Sequence, residues 1–294
     1  MDEKSVRAIP NLALRSGELV GHAMQKAMDT KSVESSTTCV DCGDTGWRYV
    51  DKASGTGVVR CDCYFRTQGR RLLESAQIPE RYARCSFSSY RTGKQELLAK
   101  AKFDVEHWAE QYPLDRTGLL LLGLSGVGKT HLAAAALKVL TSKGFHCLFT
   151  DYRDLLKQIQ NSYNPSVQTT ELQLLQPVFE TEILLLDDLG AVKPSQWVWD
   201  TVSLILNNRY NENRTTLITS NFIDGPAAGT DEVEEMPESA SGSPYGEPQR
   251  KKKREETLGD RIGNRMRSRL FEMCRPILVI GPDYRRELRA ANSR

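Results

Sequence analysis

The chain of 294 residues contains no run of 18 apolar residues, so no membrane-spanning helix is expected. Residues 1–21 mix charges with scattered apolar side chains and lack the apolar core of a secretory signal. The expected compartment is the cytoplasm. No internal repeat is evident, which sets aside solenoid architectures. Net charge is small, +2, so no overall acidic or basic character points to a partner. The charge is unevenly spread, however. Residues 250–294 hold fourteen Lys and Arg against six Asp and Glu, leaving the rest of the chain acidic. Such a basic segment suits nucleic acid or nucleotide phosphates, or a solvated arginine-rich face. With 39% hydrophobic and 27% charged residues, the composition is that of a globular protein.

What the chain does have is concentrated at residues 119–130. Four leucines are followed by Gly123-Leu-Ser-Gly-Val-Gly-Lys-Thr130 and an alanine-rich stretch. This is the pattern G-x-x-x-x-G-K-[ST] between a buried strand and a helix, the phosphate-binding loop of a nucleoside triphosphatase. Backbone N–H groups of Gly123, Ser125, Gly126, Val127 and Gly128 are expected to wrap the phosphates, and glycine lets the backbone come close enough. Lys129 supplies a mobile positive charge for the β- and γ-phosphates, and the Thr130 hydroxyl a ligand for Mg²⁺. ATP and Mg²⁺ are the cofactors this implies.

Apolar strands alternating with helices are expected from residue 118 onward: strands at 119–122, 146–150, 183–186, 215–219 and 276–280, and helices at 129–142, 152–161, 169–179, 196–212 and 258–273. Continuous apolar strands separated by helices argue for an α/β fold with a parallel sheet covered on both faces. Ile183-Leu-Leu-Leu-Asp187-Asp188 delivers two carboxylates at a strand end, where ligands of such sheets sit. Asp187 is placed to hold Mg²⁺ opposite Thr130, and Asp188 to polarise the attacking water. Asn221 ends the next strand, Ile218-Thr-Ser-Asn221, where its amide can reach the γ-phosphate and that water.

These three stretches resemble the Walker A, Walker B and sensor 1 motifs of AAA+ ATPases, most closely the DnaC/DnaI-type helicase loaders and their IstB-like relatives. Ile78-Pro-Glu-Arg-Tyr82 with Ser86-Phe87 resembles the stretch that introduces that family's ATPase core, and residues 258–270 resemble its arginine-finger helix. The resemblance covers about residues 76–290, without 224–257. It implies that Arg265, between Arg261 and Arg269, is delivered from a neighbouring subunit of a homo-oligomer to the γ-phosphate. It implies that Arg285 contacts nucleotide in cis, and that the segment 151–163 binds single-stranded DNA. Lys157 offers that strand a phosphate contact and Tyr163 a stacking face.

Cysteine is sparse, and four of seven fall in two close pairs, Cys39-Val-Asp-Cys42 and Cys61-Asp-Cys63. Four thiolates in a pair-gap-pair layout fit a tetrahedral structural Zn²⁺. Trp47–Val50 and Val58–Arg60 are expected as the two strands of a small zinc ribbon, which has almost no core and depends on its metal. Cys85, Cys147 and Cys274 are expected as isolated buried thiols.

The expected organisation is a flexible leader (1–38), a zinc-ribbon-like module (39–66), a helical connector (67–117) and an AAA+ core (118–294). Residues 224–257 interrupt that core as a low-complexity loop containing an acidic stretch and Arg250-Lys-Lys-Lys-Arg254. The function expected is an ATP-hydrolysing replication protein that loads a DnaB-type helicase onto single-stranded DNA. An IstB-like ATPase that recruits a transposase to target DNA is the alternative. A small-molecule kinase sharing only the phosphate loop is disfavoured by Asp187-Asp188, Asn221 and the arginine helix.

Overall fold

A computed structural model describes residues 39–52, 55–228 and 255–286. The expected leader, the basic run at 250–254 and most of the low-complexity loop lie outside the described residues. The chain divides into two units between Cys61 and Asp62.

The first unit holds an antiparallel hairpin of β1 (Trp47–Lys52) and β2 (Gly55–Arg60), paired from Trp47↔Arg60 to Lys52↔Gly55. Gly43, Asp44 and Gly46 turn the preceding knuckle with positive φ, and the Cys39 N–H donates to Asp44 Oδ1 at 2.8 Å. The Arg60 guanidinium lies 3.6 Å from the Trp47 ring centroid. A two-stranded hairpin of this size is marginal in water without a further tie.

The second unit begins with α1 (Asp62–Ser75), a single turn at Glu80–Tyr82 and α2 (Glu96–Gln111). Five parallel strands follow in the spatial order β4-β5-β6-β3-β7: β3 (Gly118–Leu122), β4 (Cys147–Asp151), β5 (Ile183–Asp187), β6 (Thr215–Ser220) and β7 (Cys274–Leu278). The intervening helices are α3 (Lys129–Ser142), α4 (Tyr152–Ser162), α5 (Glu171–Glu180), α6 (Gln196–Asn211), α7 (Leu258–Ile262) and α8 (Asn264–Met273).

Alternation along each strand divides the core into two layers. Leu119, Leu121, Ile183, Leu185 and Leu217 pack against Trp108, Leu132 and Leu137 of α2 and α3. Leu120, Leu122, Leu184, Leu186 and Ile218 pack on the opposite side against Leu156, Val202, Ile205 and Leu270 of α4, α6 and α8. Burial on both faces favours apolar residues at successive strand positions, which explains the leucine runs of β3 and β5. The expected α/β sheet with helices on both faces is therefore present. Ala133–Ala136 in α3 are all buried, and their small side chains let this helix lie close to the sheet.

Two elements differ from the sequence reading. The helix expected at 258–273 is broken at Gly263, which takes φ 81° and separates α7 from α8. The last strand starts two residues early, at Cys274, and contains Pro276. Proline is tolerated because, among the described residues, β7 is an edge strand paired with β3 alone. The described ends of the expected loop are also fastened. Ile223 bridges Thr257, and the Ala227 N–H donates to Asn264 Oδ1 at 2.8 Å.

The phosphate-loop strand β3 sits between β6 and β7, where the chain order of the sheet reverses. That switch point is where α/β sheets open a crevice at their C-terminal strand ends.

Candidate nucleotide site

The loop from Gly123 to Gly128 links β3 to α3, with Gly126 at φ 86° and Gly128 at φ 95°. Both need a left-handed backbone that side chains disfavour. Space is equally restrictive. A Cβ on Gly128 would lie 2.5 Å from the Tyr90 ring, and one on Gly126 would lie 2.0 Å from Asp283 Oδ1. The Tyr90 hydroxyl donates to the Val127 carbonyl at 2.8 Å, bracing the loop from behind. His131, at the start of α3, bonds the Ser86 carbonyl at 2.9 Å. The segment before α2 is thereby stitched to the phosphate loop.

Lys129 is only 6% exposed. Its ammonium donates to the carbonyls of Gly123 (2.9 Å) and Leu124 (2.8 Å) and to Asn221 Oδ1 (2.7 Å). Burial lowers its pKa to about 8, against the opposing pull of Asp188 and Asp187. The Thr130 hydroxyl donates to Asp187 Oδ1 at 2.8 Å, and the Thr219 hydroxyl donates to the same oxygen at 2.6 Å. Burial raises the pKa of Asp187, while these two hydroxyls oppose the rise. Asp188 follows with φ 61°, a strained backbone for a non-glycine residue. Its N–H donates to Thr219 Oγ1 at 2.8 Å, and the next N–H, of Leu189, to the Thr219 carbonyl at 2.8 Å. The Asn221 amide donates to Asp188 Oδ1. Burial raises the Asp188 pKa too, and Lys129 lowers it.

The structure thus brings Lys129, Thr130, Asp187, Asp188 and Asn221 into one bonded network at the ends of β3, β5 and β6. The residues suit a nucleoside triphosphate with a divalent cation. A glycine cradle next to a desolvated ammonium accepts phosphate oxygens. A hydroxyl facing a carboxylate is a hard-oxygen pair of the kind Mg²⁺ takes.

The arginines separate. Arg261 donates to Glu256 and lies over the Phe222 ring at 4.4 Å. Arg267 holds Asp224 through two hydrogen bonds. Arg269 lies 5.4 Å from the Tyr210 ring. Arg265 is exposed and has no ion pair among the described residues. Arg285 is exposed, close enough to Lys129 and Asp188 to influence their charges.

Lys157 is exposed and pairs with Asp154 at 3.8 Å. The half-exposed Tyr163 donates its hydroxyl to Glu171 Oε2 at 2.9 Å and accepts from Trp197 Nε1 at 3.3 Å. Lys157 thus lies within α4, and Tyr163 caps its C-terminal end.

The sulfurs of Cys39, Cys42, Cys61 and Cys63 all lie within 4.8 Å of one another, and no disulfide joins them. Cys39 Sγ and Cys61 Sγ are 3.7 Å apart. Four ligands around a tetrahedral zinc at about 2.3 Å would be about 3.8 Å apart. The cluster can form a zinc site. Cys85, Cys147 and Cys274 are buried, and burial raises all three thiol pKa values, Cys274 to about 12.

Sequence reasoning missed Thr219, Tyr90 and Asp283. Thr219 had a signal: it lies on β6 two residues before Asn221, the spacing that returns to one face of a strand. Tyr90 and Asp283 had none, since each meets the loop from a distant part of the chain.

The family model described as IstB-like ATP binding protein matches residues 99–225. The chain is similar to the replicative helicase loader DnaC of Buchnera aphidicola (subsp. Schizaphis graminum), 27% identical over 156 residues, 52% of this chain and 62% of that protein. It thus spans less than two thirds of that relative's length. An uncharacterized Bacillus subtilis protein, YqaM, is 25% identical over 78% of this chain and 66% of its own length. The crystal structure of the DnaC helicase loader superposes with a TM-score of 0.52 at 26% identity, covering 69% of this chain and 100% of that one. Family model, relatives and structure support a DnaC/IstB-like AAA+ ATPase fold with an ATP-binding core.

Proposed function

We propose that the protein hydrolyses ATP and loads a DnaB-type replicative helicase onto single-stranded DNA. The observation that carries the ATPase part is the network joining Lys129, Asn221 and Asp188 on one side and Thr130, Asp187 and Thr219 on the other. In it the phosphate loop and both strand ends meet at the switch point. Similarity to helicase loaders supports the replication part.

Lys129 exchanges its carbonyl partners for phosphate oxygens when ATP enters. Thr130 and Asp187 would hold Mg²⁺, which would neutralise phosphate charge there. Thr219 keeps the Asp187 carboxylate turned toward Thr130. Asp188 and Asn221 together orient the attacking water, the strained Asp188 backbone fixing the direction of its carboxylate. Arg265, exposed and without an ion pair among the described residues, is the arginine supplied to a neighbouring subunit's γ-phosphate. Arg261 and Arg267 are each held by a carboxylate. Arg285 acts in cis. Lys157 and Tyr163 meet the single strand, and the four-cysteine cluster holds Zn²⁺ and braces a module that docks the helicase.

A second reading keeps the same ATP chemistry but replaces the helicase by a transposase, and the IstB-like family match supports it. The test is retention of partner by the full chain with ATP, with Lys129→Ala as control. The proposal expects capture of a replicative helicase, single-strand-stimulated ATPase and neither ATP binding nor turnover in Lys129→Ala. Capture of a transposase instead would overturn the loader reading, and normal ATP binding by Lys129→Ala would overturn the site.

A further inference from the structure

The segment after β7 crosses back over the phosphate loop. The Tyr284 N–H donates to the Gly126 carbonyl at 3.2 Å, and the Arg285 N–H donates to Asp283 Oδ1 at 3.0 Å. Asp283 Oδ1 and Cγ stand 2.0 and 2.4 Å from where a Cβ of Gly126 would be, so the carboxylate fills the space that this glycine leaves. Gly126 lies within a loop whose backbone N–H groups suit phosphate. A carboxylate against that loop sits where negative charge opposes an incoming anion.

We propose that Asp283 is a charge gate on the phosphate loop. Its carboxylate lowers the affinity for nucleoside triphosphate, while the turn it makes with Arg285 carries that arginine to the Lys129–Asp188 network. The gate deepens the ATP-site reading and rests on it. Two roles are joined in one side chain, and they separate by substitution. Asp283→Asn keeps an oxygen that accepts from the Arg285 N–H but removes the charge. Asp283→Ala removes both.

Charges a few ångströms apart near a protein surface interact by on the order of 1 kcal/mol or more, enough for severalfold changes in affinity. The repulsion must be larger for ATP than for ADP, which carries one charge fewer, and must shrink as salt screens it.

The test is nucleotide titration of the full chain and its variants at low and high salt. Asp283→Asn is expected to bind ATP roughly threefold to tenfold more tightly at low salt. The gain should be smaller for ADP and should fade at high salt. Asp283→Ala is expected to share the tighter binding but to lose turnover per bound ATP, because Arg285 is released. ATP binding by Asp283→Asn that is unchanged or weaker overturns the gate, as does a gain equal for ATP and ADP. Failure of the wild-type chain to bind ATP at all overturns the site reading as well, so the two failures are told apart.

Discussion

At the scale of single residues, two buried cations define what is unusual here. Lys129 is held near a pKa of about 8 by burial, with Asp188 and Asp187 opposing. Bound triphosphate raises the pKa of an adjacent ammonium, so binding takes up a proton above pH 8. ATP affinity is therefore full below about pH 8 and falls as pH rises through that value, by at most about tenfold per pH unit. Calorimetric titrations in buffers of differing ionisation enthalpy read the proton uptake directly; none at pH 8.5 would contradict the burial of Lys129. Arg209 is 0% exposed and has no ion pair among the described residues. It donates to Thr216 Oγ1 (2.9 Å) and to the carbonyls of Val178 (2.8 Å), Thr181 (3.0 Å), Glu182 (3.4 Å) and Thr215 (2.6 Å). Burial lowers its pKa to about 9, with Arg214 adding to the effect. Arg209→Met leaves those carbonyls without their donor and is expected to destabilise by on the order of 3 kcal/mol. For a domain of this size that lowers Tm by about 6–12 °C, measured by thermal melting.

At the scale of elements, legibility followed the distance over which each role is decided. The phosphate loop, Asp187-Asp188 and Asn221 were readable because each lies in a local string of strand, turn and functional side chain. β3 and β5 were readable because double-sided burial makes them leucine runs, and β4 and β6 because Leu148-Phe149 and Leu217-Ile218 form short apolar centres. The break between α7 and α8 was missed although Gly263 marks it, because the apolar spacing of Ile262, Met266 and Leu270 continues across the break. Arg209 carries no local signal in the sequence, and only the carbonyls around it give it a role. Asp283 carries no such signal either, because it meets Gly126 from a segment distant in sequence. The hairpin of β1 and β2 was readable from its cysteines rather than from its strands. It has no apolar core of its own, so stripping the metal is expected to melt it. Metal analysis should find one zinc per chain. Chelation should release that zinc and change the Trp47 environment, while ATP binding persists. A folded, metal-free chain with paired disulfides would overturn the zinc assignment.

At the scale of the whole molecule, the described residues join the phosphate loop, Thr130 with Asp187, and Asp188 with Asn221 in one network. An exposed Arg265, without an ion pair among those residues, supports completion of the site by a neighbour. No helix among the described residues is long and apolar enough to cross a membrane. The central claim is that ATP is held by Lys129 of one subunit and hydrolysed with Arg265 of the next. Lys129→Ala and Arg265→Ala proteins, each inactive alone, separate the two halves of the site between subunits. Mixed in equal amounts, an intact Lys129 site of the second variant can receive Arg265 from the first. The most direct measurement is the steady-state ATPase rate of that mixture. The account predicts partial recovery of turnover on mixing, and a mixture as inactive as its components would contradict it.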